Sequence, residues 1–153
     1  MNSITGATIS TTPRATLDRP GWVWIGIALQ ILVGLMAVPV GLMMIAEPNG
    51  DPVGIPNEWI ADSPFRSFMV PGLFLLLVNG IGQLGSAALA MTRHWLAPWL
   101  MGALGVGLIT WIAVQVLIIP LSVLQPAIFA IGAAQGLISL FWLRRLGHLR
   151  LPQ

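Results

Sequence analysis

Residues 94–143, HWLAPWLMGALGVGLITWIAVQVLIIPLSVLQPAIFAIGAAQGLISLFWL, carry no formal charge at neutral pH. The stretch is 50 residues long, whereas one helix crosses a bilayer with roughly 20 apolar residues. It therefore predicts two crossings. Pro120 cannot continue a helix, and Pro126 suits the first turn of the next one. We expect helices near 96–119 and 125–143, joined by a turn.

Two further uncharged runs precede this stretch, residues 21–46 and 67–92, each 26 residues long. A helix of that length spans about 39 Å, against a hydrocarbon core of about 30 Å. The first run is longer than the apolar region of a signal peptide, so we expect an uncleaved span. The spans are predicted near 22–46 and 66–91. Residues 21–146 then form an all-α integral membrane bundle of four transmembrane helices.

The composition excludes several classes of protein. Of 153 residues, 56% are hydrophobic and 8% are charged, and the mean hydropathy is +0.86, whereas soluble domains are about 25% charged. The chain has no Cys, so it forms no disulfide, thiolate nucleophile or iron–sulfur site. Its seven arginines are scattered, so we expect no nucleic acid partner. The partner that the composition predicts is the lipid bilayer.

Polar sequence flanks and separates these runs. Residues 1–20 are rich in Thr and Ser without a hydrophobic period, and they predict a flexible cytoplasmic tail. A second, short cytoplasmic tail is expected at 147–153. The loop at 47–66 holds four of the five acids and is interpreted as a solvated outer loop of undetermined role. Asp62 or Ser63, followed by a proline, is a candidate N-cap for the second helix.

The arginines predict the orientation of the bundle. With a cytoplasmic N-terminus, six arginines lie inside and Arg66 alone lies outside, as the positive-inside rule favours. We therefore expect a multi-pass protein with both termini in the cytoplasm. Five tryptophans would then lie at the inner interface, where indole rings are favoured: Trp22, Trp24, Trp95, Trp99 and Trp142.

Small residues recur at helical spacing in the predicted spans. On the first helix they form one face, with Gln30 and Ala37 between the glycines. On the third helix the predicted face consists of Ala103, Gly107, Thr110 and Val114. We interpret these faces as helix-packing surfaces, and the alternative is that the first lines a substrate groove. The glycines assigned to packing are Gly26, Gly34, Gly41, Gly107 and Gly132.

Four carboxamides lie inside the predicted spans and are named the amide layer. Counted from the inner helix ends at about 1.5 Å per residue, Gln30, Gln83 and Gln135 lie roughly 12–14 Å into the membrane. Asn79 lies one turn farther. A carboxamide in hydrocarbon must find partners, so we expect these side chains to point inward and bond one another. Two interpretations stay open: bonds that hold the helices together, and a pocket for a small ligand or lipid headgroup.

Ionisable side chains are confined to the polar segments. Apart from Arg66, the first residue of the second predicted span, no Asp, Glu, Lys or Arg occurs inside a predicted span, although proton relays and ion-coupled pumps need such groups at depth. The four acids of the outer loop do not have the spacing of a calcium loop. His94 and His148 lie on different surface segments and cannot clamp a haem between two helices. We therefore expect no catalytic residue, metal site or cofactor, and not an enzyme.

Several short motifs carry a resemblance to other proteins. They are SPF at 63–65, PGLF at 71–74, VNG at 78–80, WIAVQ at 111–115 and LQP at 124–126, with Phe129, Gly132 and Gln135. Over roughly residues 22–143 the chain resembles uncharacterised prokaryotic four-helix integral membrane proteins. The resemblance implies four-helix topology and the plasma (inner) membrane of a prokaryote. It implies no activity and no catalytic residue.

Two functions fit these features. The sequence favours a non-catalytic accessory or self-associating subunit of a membrane assembly, whose partner is another membrane protein or a second copy of the chain. The alternative is a passive carrier or binder of a small neutral or lipidic molecule, which would bind at the amide layer.

Overall fold

The computed structural model of the chain describes residues 17–51, 54, 56, 65, 67–118 and 120–147. Over these residues the protein is all-helical, with four helices that are long and apolar enough to cross a membrane and that pack together. This confirms the predicted fold class. The helices are α1 (Val23–Ala46), α2 (Met69–Met91), α3 (Ala97–Ile118) and α4 (Leu124–Arg145).

The helix bounds differ from the predicted spans by up to three residues. α2 begins at Met69 rather than at 66, because Phe68 still lies outside the helix and its N–H donates to the carbonyl of Pro48 at 2.9 Å. α4 continues through two arginines to Arg145, since cations are favourable in the last turn of a helix. The candidate N-cap at positions 62–63 lies outside the described residues.

α2 changes its helical type in the middle of the span. Met69–Phe74 is α-helical, Leu75–Gly82 forms a π-helix, and Gln83–Met91 is α-helical again. π-Helical turns are rare in proteins, and those that occur often lie at functional sites. This segment contains Asn79, one of the four carboxamides of the amide layer.

Glycines allow the close approach of the helix pairs. A Cβ atom at Gly34 would lie 2.6 Å from a leucine side chain of α2, and one at Gly41 would lie 2.8 Å from the α2 backbone. A Cβ at Gly26 would lie 2.8 Å from a methionine of α3. Between α3 and α4, a Cβ at Gly132 would lie 2.8 Å from the carbonyl oxygen of Gly105. Four of the five assigned glycines therefore lie at helix contacts.

Gly107 does not pack against another helix, and its assignment was wrong. No atom lies within 4 Å of the position that a Cβ would occupy there, and Ala103 and Thr110 of the predicted face are exposed. α3 is apolar on every side, so small residues alone could not identify its buried face. That face consists of Met101, Gly105, Leu108 and Ile112.

Two apolar clusters lie towards the two ends of the bundle. The tail end, defined by residues 17–20, 92–96 and 145–147, is filled by a cluster of seven buried side chains. Towards the loop end, defined by residues 47–51 and 120–123, a smaller cluster around Met44 and Phe68 packs α1 against the start of α2. The tail-end cluster consists of Val23, Ile27, Ala87, Ala90, Ala97, Met101 and Trp142.

Residues 17–20 form a strap across the tail end, although they were predicted to belong to a flexible tail. The N–H of Leu17 donates to the carbonyl of Arg93 at 3.4 Å. Arg19 donates to two carbonyls at the end of α2, both at 3.0 Å, and its guanidinium lies 4.3 Å from the ring centroid of Trp24. The remaining parts of the two predicted tails, residues 1–16 and 148–153, lie outside the described residues.

Trp142 departs from the predicted ring of interfacial tryptophans. It is fully buried in the tail-end cluster, and its indole N–H donates to the carbonyl of Asp18 in the strap at 2.9 Å. Trp24, Trp95 and Trp99 remain on the bundle surface. Trp142 is therefore a core residue that joins α4 to the strap.

Candidate functional site

All four carboxamides of the amide layer lie inside the bundle. Gln30, Gln83 and Gln135 have no exposed surface, and Asn79 is 1% exposed. α1, α2 and α4 each turn their amide inward because a lipid-facing amide would have no hydrogen-bond partner in hydrocarbon. Gln30 on α1 and Asn79 and Gln83 on α2 also lie between the two apolar clusters along their helices. The layer is therefore a buried polar level between two apolar ones.

Two hydrogen bonds join helices within the layer. The side-chain amide of Gln83 donates to Oε1 of Gln135 at 3.2 Å, which connects α2 to α4. Gln30 donates to the hydroxyl oxygen of Ser86 at 2.7 Å, which connects α1 to α2. We expected the amides to bond one another, and this is found for Gln83 and Gln135, whereas Gln30 bonds to a serine. Ser86 lies three residues after Gln83, a spacing that places both on one helical face.

α3 joins this region through its backbone. The hydroxyl of Ser139, one turn along α4 from Gln135, donates to the carbonyl of Pro98 at 2.6 Å. The contact is close because Gly102 faces Ser139, and a Cβ at Gly102 would lie 2.5 Å from the serine oxygen. No composition signal in α3 indicated this bond, since the acceptor is a backbone group of the first helical turn.

Among the described residues, five buried side-chain atoms of the layer have no hydrogen-bond partner. The acceptors are Oε1 of Gln30, Oδ1 of Asn79 and Oε1 of Gln83. The donors are Nδ2 of Asn79 and Nε2 of Gln135. Exchanging the oxygen and nitrogen of both Gln83 and Gln135 reverses their bond and again leaves one donor and one acceptor unused. Each such group costs about 1–3 kcal/mol when it is buried without a partner, so the layer has unused bonding capacity in either assignment.

The layer is electrically neutral. Over the described residues, the charged side chains within the four helices are Arg144 and Arg145, at the end of α4. No group of three His, Asp or Glu side chains in this part of the chain could hold a metal ion. A charged ligand would therefore enter a buried site without a counter-charge, which is strongly unfavourable. The site is suited to uncharged molecules.

A groove between α2 and α3 leads from the bundle surface towards the layer. It has a volume of about 540 Å³, and its lining includes Gly82, Gly85, Ser86, Leu100 and Leu104. Ser86 is 2% exposed and is the residue that accepts the hydrogen bond from Gln30. Because Gly82 and Gly85 have no side chains, the wall of the groove is low beside Ser86. Ser86 thus both lines the groove and bonds to the amide layer.

The chain matches no protein-family model, and no curated protein or solved structure matches it at a significant level. The resemblance to prokaryotic four-helix membrane proteins therefore stays a prediction.

Proposed function

We propose that this protein is a non-catalytic, multi-pass protein of a prokaryotic plasma membrane that binds or carries a small neutral molecule at its amide layer. The observation that carries the proposal is the set of five buried polar atoms without a protein partner. A role in holding the helices together explains the bond between Gln83 and Gln135 and the bond from Gln30 to Ser86. It does not account for Asn79, because neither polar atom of this side chain bonds to the protein.

The unused groups define the class of ligand. Among the described residues, three acceptors and two donors of the amide layer are free, so a molecule that both donates and accepts hydrogen bonds fits best. The absence of a counter-charge in the described helix interiors favours a neutral molecule. A small amide or polyol has these properties. A few oriented polar groups in an otherwise apolar enclosure are typical of small-molecule sites.

The groove between α2 and α3 supports entry from the bilayer. An apolar cluster fills the tail end of the bundle, whereas the groove reaches Ser86 from the side. A molecule that partitions into the membrane would reach the serine hydroxyl first and the amide of Gln30 next. The same helix interiors contain no acid or base at depth, which supports the non-catalytic part of the proposal.

A thermal-shift experiment with a neutral and a charged probe tests the binding site. Acetamide and acetate are similar in size, and acetamide carries both donors and acceptors without a charge. Acetamide should raise the melting temperature of the detergent-solubilised protein, because a ligand that binds the folded state stabilises it. Acetate should not.

The variant Asn79→Leu should lose the acetamide shift, and Ser139→Ala should keep it, since Ser139 already donates to Pro98. Native mass spectrometry of protein extracted in mild detergent should show a small bound molecule in wild type and none in Asn79→Leu. Equal acetamide shifts in wild type and Asn79→Leu, or no shift in either, would contradict the proposal.

The proposed orientation places both termini in the cytoplasm. It is supported by four arginines at the tail end of the bundle, Arg19, Arg93, Arg144 and Arg145. Because the native chain has no thiol, single cysteines can test it. A cysteine replacing Asn57 should react with an impermeant reagent added to intact cells, and one replacing Gln153 should react only after lysis.

An accessory or self-associating subunit is the second candidate. Gly26, Gly34 and Gly41 of α1 and Gly132 of α4 lie at helix contacts inside the monomer, which weakens this function. Gly85 still supports it, because no atom lies within 4 Å of its Cβ position on the wall of the groove. A helix of a second copy could pack there. If so, Gly85→Leu should reduce the mass of the detergent-solubilised particle to that of a monomer.

A further inference from the structure

A second groove runs along α4 on the side where the chain enters α1. It has a volume of about 610 Å³ and is lined by Trp22, Ala134, Leu137, Ile138, Phe141 and Arg145. Five of these six side chains are apolar, and the sixth is a cation at one end. The groove is separate from the amide layer and from the groove between α2 and α3.

The length of this groove corresponds to one leaflet of a bilayer. Ala134 and Arg145 are 11 positions apart on α4, which is about 16 Å at 1.5 Å per residue. Half of a hydrocarbon core of about 30 Å is about 15 Å. An acyl chain that enters at Arg145 would therefore reach Ala134 near the middle of the membrane.

The cationic end of the groove has free donors. Nε of Arg145 lies 3.3 Å from Oδ2 of Asp18, and both side chains are more than half exposed. A guanidinium has five N–H donors, and this contact uses one nitrogen, which leaves the two terminal nitrogens for another anion. Among the described residues, the tail end holds four arginines and one acid, Asp18. The field there favours a negatively charged headgroup.

We propose that this groove binds an anionic phospholipid of the bilayer. One acyl chain lies along Ala134, Leu137, Ile138 and Phe141, the phosphate contacts Arg145, and the indole of Trp22 lies at headgroup level, where indole rings are favoured. This site is independent of the neutral-molecule site at the amide layer.

Native mass spectrometry with two lipids that share the same acyl chains tests the proposal. The probes are dioleoyl phosphatidylglycerol, which is anionic, and dioleoyl phosphatidylcholine, which is zwitterionic. Wild type should retain the anionic lipid more strongly. Arg145→Gln should weaken its retention about fivefold, the effect expected for one arginine near an anionic surface, and should leave phosphatidylcholine unchanged. Ala134→Phe should weaken the retention of both lipids because it fills the apolar part of the groove.

Two control variants separate the cation from its ion pair and from general charge. Asp18→Asn removes the same ion pair as Arg145→Gln but keeps the cation, so it should retain or strengthen binding of the anionic lipid. Arg144→Gln removes a neighbouring exposed charge that does not line the groove, so its effect should be smaller than that of Arg145→Gln. Equal loss in Asp18→Asn and Arg145→Gln, equal loss in both arginine variants, or equal retention of both lipids by wild type would overturn the proposal.

Discussion

The tail end of the bundle and the amide layer both bury polar groups, but they satisfy them differently. At the tail end, the indole N–H of Trp142 and the guanidinium of Arg19 donate to backbone carbonyls. In the layer, a short distance deeper, Asn79 has no partner for either polar atom. The polar groups of Trp142 and Arg19 at the tail end thus have hydrogen-bond partners, whereas those of Asn79 in the amide layer have none among the described residues.

This difference separates polar groups that stabilise the fold from polar groups that are available for binding. A buried donor with a fixed acceptor contributes roughly 0.5–1.5 kcal/mol, whereas a buried group without a partner costs about 1–3 kcal/mol. Replacement of a bonded polar side chain should therefore destabilise the fold, whereas replacement of one without a partner should stabilise it. The following experiments test this contrast, beginning with the largest expected effect.

Trp142→Ala should produce the largest loss of stability. The side chain is fully buried and bonded to the strap, and removal of a buried aromatic side chain typically costs about 3–5 kcal/mol. Chemical unfolding in detergent micelles measures the change. Trp99→Ala is the matched control, because Trp99 is 45% exposed and should cost much less. Equal losses in the two variants would mean that Trp142 is not a core residue.

Gly105→Ala should be the next most damaging substitution. A Cβ there would lie 2.7 Å from the carbonyl oxygen of Gly132, and separation of α3 from α4 should cost about 1–3 kcal/mol. Gly107→Ala, two positions away, meets no atom within 4 Å and should be neutral or stabilising by up to about 1 kcal/mol. A loss of stability in Gly107→Ala with none in Gly105→Ala would support the packing face that the sequence predicts for α3.

Asn79→Leu and Gln83→Leu should change stability in opposite directions in ligand-free protein. Asn79→Leu removes a buried side chain without a partner and should stabilise the fold by about 1–2 kcal/mol. Gln83→Leu breaks the bond to Gln135 and leaves that amide buried and unpaired, so it should destabilise the fold by about 1–2 kcal/mol. Differential scanning fluorimetry in detergent compares the two variants. Destabilisation by both would indicate that Asn79 is a structural bonding group.

Asp18→Asn should have the smallest effect on stability. The ion pair with Arg145 is largely exposed, and such pairs contribute about 0–1 kcal/mol. Trp142 bonds to the backbone carbonyl of residue 18, so this bond survives the substitution. Unfolding at low and high salt should give nearly equal differences between Asp18→Asn and wild type. A loss as large as that of Trp142→Ala would show that the carboxylate itself holds the strap.

Hydropathy and the cost of an unpaired amide explain how much of the structure could be predicted. Uncharged runs longer than a bilayer crossing indicated four helices, and the number of spans follows from that arithmetic. The same cost predicts that Gln30, Gln83 and Gln135 point inward, and all three are buried. Their partners were less predictable, because a hydroxyl or a second amide satisfies the donor equally well.

Three features could not be read from the sequence for physical reasons. The buried face of α3 was missed because Gly105 and Gly107 look equivalent in a helix that is apolar all round. The π-helical turn at Leu75–Gly82 has no composition signal in LLLVNGIG. The strap was missed because residues 17–20 make their hydrogen bonds through backbone groups and one arginine, and a single leucine, Leu17, packs against the tail-end cluster. None of these contacts requires a hydrophobic pattern.

The strap can be completed only late in biosynthesis. Its bond from Trp142 to Asp18 joins positions 124 residues apart in the chain. At about 5–20 residues per second, roughly 6–25 s pass between synthesis of the two ends. During that time α1 can insert and pair with α2, but the tail end stays unsealed. The strap can therefore close only after α4 has been synthesised. A nascent chain that stops before residue 142 has an open tail end, and this distinguishes it from the finished protein.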